Sequence, residues 1–214
     1  MARAFLPARG FLLDRKAVAS VEFAIIMSFF LLVFIGTFEI LTLLRTDQKM
    51  NIVAATVAQA YVVESPNGYA LSASTPQDIC YGAVQGLAPY GAGGLTVDVA
   101  SVTSVTPGST ASYWEQDFSG NSCTAVTPAV IGSTAACNLV TGNGQGGMLP
   151  SSGGAVGDNA IIVKVTLTYP GLVGLWLTTS PTLTQQVMTR WAYASTSTAL
   201  TVTGVTPQTI TCSG

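Results

Sequence analysis

The chain has 214 residues, of which 8% are charged, with a formal net charge of −2 and no histidine. This excludes a strongly basic nucleic-acid surface, histidine-dependent catalytic triads and histidine-ligated metal sites. The length accommodates a membrane anchor plus one domain with a modest core.

Residues 1–17 read as a basic leader, with Arg3, Arg9, Arg15 and Lys16 set against one acid, Asp14. An uninterrupted apolar run over 23–38 follows, bounded by Glu22 and Glu39. A helix of about 20 apolar residues crosses the hydrocarbon of a bilayer, so the run is expected to be a single membrane anchor in contact with the lipid bilayer. Basic residues near a span stay on the cytoplasmic side. The N-terminus is therefore expected in the cytoplasm, with the C-terminal domain beyond the cytoplasmic membrane. No small-residue signal-peptidase site follows the run, which favours a retained anchor. Phe23, Phe29, Phe30, Phe34 and Phe38 are expected to face lipid or a packed helix, and Glu39 to sit at the interface. Glu22 stands at the lip of the run; a carboxylate carried to the centre of a membrane costs roughly 2.5–3.5 kcal/mol unless a cation partners it.

Beyond Arg45, apolar residues recur at Met50, Val53, Val57, Tyr61, Val62 and Val63, near helical spacing. The anchor is expected to continue as an amphipathic half, giving one helix over 18–64, on the order of 70 Å long. Ser65, Pro66, Asn67 and Gly68 then form a stop signal. A second helix is expected from Thr75, with Thr75 as its cap, Pro76 in the first turn and Asp78 close by. Ile79, Ala83, Val84 and Leu87 form its apolar face. Residues 95–105 alternate apolar and polar with period two and read as a strand. From 106 to 157 the chain is dense in Gly, Ser, Thr, Pro and Asn, which reads as a long surface loop; its glycines at 142–147 match no phosphate-loop pattern. Residues 160–169 and 182–193 read as adjacent antiparallel strands joined by a loop around Trp176 and Pro181. Residues 198–211 suit an edge strand. Lys164 and Arg190 are expected to pair with acids on neighbouring strands, and the tryptophans Trp114, Trp176 and Trp191 to anchor core or loops.

All four cysteines, Cys80, Cys123, Cys137 and Cys212, follow the anchor, which fits two disulfides in an oxidising compartment. Three connectivities are open; the pairing preferred on sequence is Cys123–Cys137 with Cys80–Cys212. No CxxC pair occurs, so neither a zinc site nor a thioredoxin-like motif is expected. Together these elements predict an α+β protein of three parts: the leader over 1–17, the extended helix over 18–64 and an exported domain over 65–214. The long helix and one further helix are expected to pack on a small antiparallel sheet.

The basic leader, the sequence AVASVEFA over 17–24, the apolar span and the Phe38-Glu39 pair resemble the TadE/TadG-like proteins of tight-adherence (Flp-type) pilus systems. The late segments AIIVKVTLTYPG and TLTQQVMTRW resemble the C-terminal strands of those pseudopilins. The likeness covers about residues 15–50 and 158–193 and leaves the middle uncovered. It implies an inner-membrane minor pseudopilin whose leader is cut by a prepilin peptidase between Ala17 and Val18. Glu22 then becomes the fifth mature residue, followed by the aromatic Phe23. Major Flp pilins carry Gly at the last leader position, where this chain has Ala17. The resemblance further implies that Glu22 sets register by pairing with the new N-terminal amine of a neighbouring subunit. The implied partners are other pilins or pseudopilins, the Tad assembly proteins and the prepilin peptidase.

Neither a cofactor nor a metal is expected, and no enzyme: GxSxG and SxxK are absent, and Glu115 and Asp117 are the one closely spaced acid pair. The alternative function is a membrane-tethered exported binding module or adhesin presenting a Ser/Thr/Gly-rich surface.

Overall fold

The computed structural model describes residues 15–64, 70–90, 93–106, 110–126, 131–133, 137, 159–169, 180–191 and 200–212. Helix α1 (Arg15–Glu64) is unbroken over 50 residues and starts three residues before the expected boundary. Its first turn holds no acid and its last turn no base, so its ends gain nothing from the helix dipole. Helical stability must come from what surrounds it. The helix passes from one compact unit, to which its residues up to Leu43 belong, into a second that begins at Leu44 and holds every other described element.

In the first unit every residue from Val18 to Phe34 is exposed, including Phe23, Phe29, Phe30 and Phe34 at 64–69%. A helix apolar all round is one that lipid or protein must cover, and α1 is long and apolar enough to cross a membrane. In the second unit Met50, Val53, Ala54, Val57, Ala58 and Tyr61 form the buried stripe that three-and-four spacing predicts. Val63, grouped with them on sequence, is 70% exposed because it has rotated off that face.

Helix α2 (Thr75–Gly86) buries Pro76, Cys80 and Ala83. The expected cap is corrected: Ser74 occupies the cap position and makes no side-chain cap bond, while Thr75 lies inside the helix. The Thr75 hydroxyl hydrogen-bonds that of Ser72 instead, at 2.7 Å. Gly86 lets the helices approach, since a Cβ there would stand 3.1 Å from Val53 Cγ2.

The strands are β1 (Leu95–Thr106), β2 (Thr110–Ser119), β3 (Thr124–Val126), β4 (Asn159–Thr168), β5 (Thr182–Trp191) and β6 (Gln208–Thr211). They form one antiparallel sheet in the order β3-β2-β1-β4-β5. β3 and β6 share the outer side of β2: β3 pairs with Asp117–Ser119 and β6 with Thr110–Tyr113. One face carries Leu95, Val97, Val99, Trp114, Phe118, Ile161, Val163, Val165 and Leu167 in the core with α1 and α2. Fully burying an aliphatic or aromatic side chain contributes about 1.5–3 kcal/mol, so this face is the main source of stability. Trp114 also donates its indole N–H to Leu200 O at 2.5 Å. The opposite face carries a smaller cluster around Ala100, Val102, Ala111, Tyr113, Ala160 and Ile162.

Strands β1, β4 and β5 follow the sequence reading. Strand β2 does not, because it interrupts the loop expected over 106–157. It is buried on both faces, with Trp114 and Phe118 on one and Tyr113, Glu115 and Asp117 on the other; a strand covered on both sides loses the alternation by which strands are read. The expected edge strand over 198–211 shrinks to β6, with an isolated bridge between Leu71 and Val202. The glycines at 142–147, Trp176 and the Trp191 side chain lie outside what is described.

The disulfides correct the preferred pairing: Cys80 bonds Cys123, and Cys137 bonds Cys212. Cys123 follows the end of β2 where Ser119 pairs with β1, on the α2 side, whereas Cys137 lies beside Thr211 at the other end of β2. A ten-residue strand separates those ends by roughly 30 Å, far beyond disulfide reach.

Tyr61 is fully buried beside Trp114, with ring centroids 6.4 Å apart, and its hydroxyl has no hydrogen-bond partner. Tyr61→Phe is therefore expected to be neutral or to raise stability by up to about 1 kcal/mol. Tyr61→Ala should lower it by about 3–5 kcal/mol. Thermal or denaturant unfolding in detergent measures both; a Phe variant clearly weaker than wild type contradicts the assignment.

Candidate functional site

Two regions concentrate polar chemistry, and α1 holds the first. Val18 and Glu22 are one helical turn apart and share a face. Both are exposed, as is Phe23. The backbone at Ala17 is helical, and its side chain lies outside what is described. The Ala17–Val18 bond thus falls in the first turn, whose N–H groups have no intrahelical partner and which frays at the lowest cost. Glu39 lies 17 positions beyond Glu22, about 26 Å along the axis, close to the thickness of a hydrocarbon core. It is 1% exposed and both carboxylate oxygens lack a hydrogen-bond partner.

The second region crosses the sheet on the face away from α1. Register aligns Val126 of β3, Asp117 of β2, Asp98 of β1, Lys164 of β4 and Gln186 of β5 in one row. In the next row Glu115 stands opposite Ala100. These acids are unequally satisfied. Glu115 accepts the Tyr113 hydroxyl and the backbone N–H groups of Ile131 and Gly132, the latter two at 2.6 and 3.1 Å. Its carboxylate thereby clips the 131–133 segment over the sheet. Asp98 is fully buried, yet neither of its oxygens has a partner. Burial pushes its carboxyl up to about 7, helped by the charges of Asp117 and Glu115 and opposed by that of Lys164. Lys164 is half-buried and Gln186 exposed, so the row runs from the covered centre of the sheet towards solvent.

The sequence reading notes Glu115 with Asp117 and expects Lys164 to pair with an acid on a neighbouring strand; the register sets Lys164 opposite Asp98, but neither Asp98 oxygen has a hydrogen-bond partner. Asp98 itself was passed over because it falls on the polar phase of β1. Its signal was being the one charged residue within 95–105. Arg190 stands opposite Ala160 in the register, not opposite an acid.

A groove of about 340 Å³ between α1 and α2 is lined by Ile52, Val53, Val57, Ile79, Ala83 and Lys49, among others. The Lys49 ammonium donates to Ala88 O at 2.6 Å and lies over the Tyr90 ring. Among the described residues no group of three His, Cys, Asp or Glu side chains is arranged to hold a metal ion. No protein-family model matches the chain, and no curated protein or solved structure matches it either.

The raised Asp98 value has a definite sign. Between the unfolded carboxyl value near 4 and the folded value of about 7, only the folded state holds the proton, so stability falls as pH rises across that window. Each pKa unit amounts to roughly 1.4 kcal/mol. Lys164→Met removes the opposing charge, so in that variant the loss should be at least as large and extend to higher pH. Adding Asp98→Asn should flatten the profile. Chemical denaturation of the two variants from pH 4 to 8 checks this; identical profiles contradict it.

Proposed function

We propose that this chain is a TadE-like minor pseudopilin of a tight-adherence pilus, anchored in the inner membrane by the first half of α1 with its α+β domain exported. The observation that carries this reading is the exposed apolar half of α1, with an acid at its lip, continuing without a break into an amphipathic half packed on a sheet. The long helix gives a shared axis along which copies or related subunits pack. Glu22 supplies the charge that a neighbour's freed N-terminal amine neutralises, and that pairing fixes their axial offset. The two disulfides fit an exported location. The role is one of assembly, with no catalytic chemistry.

Glu22→Ala should leave membrane insertion intact and abolish or strongly reduce piliation, scored by microscopy and surface shearing. Normal piliation in that variant contradicts the role. Protein made with the prepilin peptidase should have a mature terminus at Val18 and protein made without it an intact leader, read by N-terminal sequencing; an intact leader in both conditions removes processing at this bond.

A further inference from the structure

A buried carboxyl group without a hydrogen-bond partner requires an explanation. Asp98 is such a group at the centre of the sheet. Its direct cross-strand neighbours are Lys164 on one side and Asp117 on the other, and opposed residues on one face hold their Cβ atoms about 4.5–5.5 Å apart. An amine, a desolvated carboxyl and a second acid thus lie side by side on β4, β1 and β2. Glu115 is already held by three donors and is not available to this group.

We propose that Lys164 and Asp98 condense after folding into an intramolecular isopeptide bond that staples β1 to β4, with Asp117 relaying the proton. The neutral Lys164 amine attacks Cγ of the protonated Asp98 carboxyl, forming the C–N bond. Asp117 takes the proton released by nitrogen and returns it to the departing hydroxyl. One carboxylic acid and one amine become one amide and one water, and no oxidant or other reactant takes part. Burial favours the step in two ways. It biases Asp98 towards the protonated form, and it replaces two ionisable groups with one neutral amide. The water leaves towards exposed Gln186, at the β5 end of the row. The pH limb expected of the Lys164→Met variant is then absent from the bonded wild type.

Trypsin gives a direct test, because Lys164 and Arg190 are the only basic residues after Lys49. Full-length protein purified in detergent, reduced, denatured and digested should yield a 50–190 fragment lighter than its sequence mass by one water, uncut after Lys164. Lys164→Arg, which keeps the charge, should restore the full mass and cleavage after position 164. Asp117→Asn should lower the bonded fraction; undiminished bonding there overturns the relay. Wild-type protein of full mass that is cut after Lys164 overturns the proposal, as does loss of water with normal cleavage there, which marks a succinimide.

Discussion

A single helix must satisfy two different surroundings, and this constraint governs the rest of the molecule. From Phe23 to Phe34 α1 is apolar and exposed on every side. From Met50 the same helix narrows its apolar residues to one stripe, which the sheet and α2 cover. The change from all-round to one-sided hydrophobicity occurs with no break in the backbone. The elements that cover α1 from Met50 onward therefore pack on the same helix that is apolar and exposed further towards its N-terminus.

The sheet has two unlike faces. Its helix-covered face is aliphatic and aromatic, and supplies the core. The other carries acids at Asp98, Glu115 and Asp117, buried at 6% exposure or less. Burying charge is costly unless it is paired or hydrogen-bonded, and the cost is met differently at each residue. Glu115 is matched by donors from the segment it retains, whereas Asp98 shifts towards its neutral form. Disulfides act at the two ends of β2, one to α2 and one between the loop and the C-terminal strand. This strand, nearly invisible in the sequence, is where the covers of both faces are fastened.

What the sequence made legible were the elements with an undisturbed period. The stripe from Met50 to Tyr61 has a single face to bury, and the polar residues Thr96, Asp98, Lys164 and Thr166 keep an alternation visible in β1 and β4 although both strands are largely buried on both faces. What it concealed depends on tertiary coverage. The side chains of β2 alternate between two buried faces, so Trp114, Glu115 and Gln116 show no period to detect. Cys123 and Cys137 are close in sequence but lie at opposite ends of that strand, which made the shorter loop a poor guide to pairing. Asp98 falls on the polar phase of its strand, and its burial is set by tertiary coverage that the strand's own pattern does not show. Glu22, by contrast, was conspicuous because a charge beside an apolar run needs no tertiary context to stand out.

The claim on which the account rests is that α1 crosses the membrane once and carries its domain outside. Protease treatment of intact spheroplasts from cells lacking the prepilin peptidase, so that the leader is kept, with one tag ahead of Arg3 and another after Gly214, tests it most directly. The C-terminal tag should be removed while the N-terminal tag survives until the membrane is permeabilised. Removal of the N-terminal tag from intact spheroplasts, or protection of both tags, contradicts it.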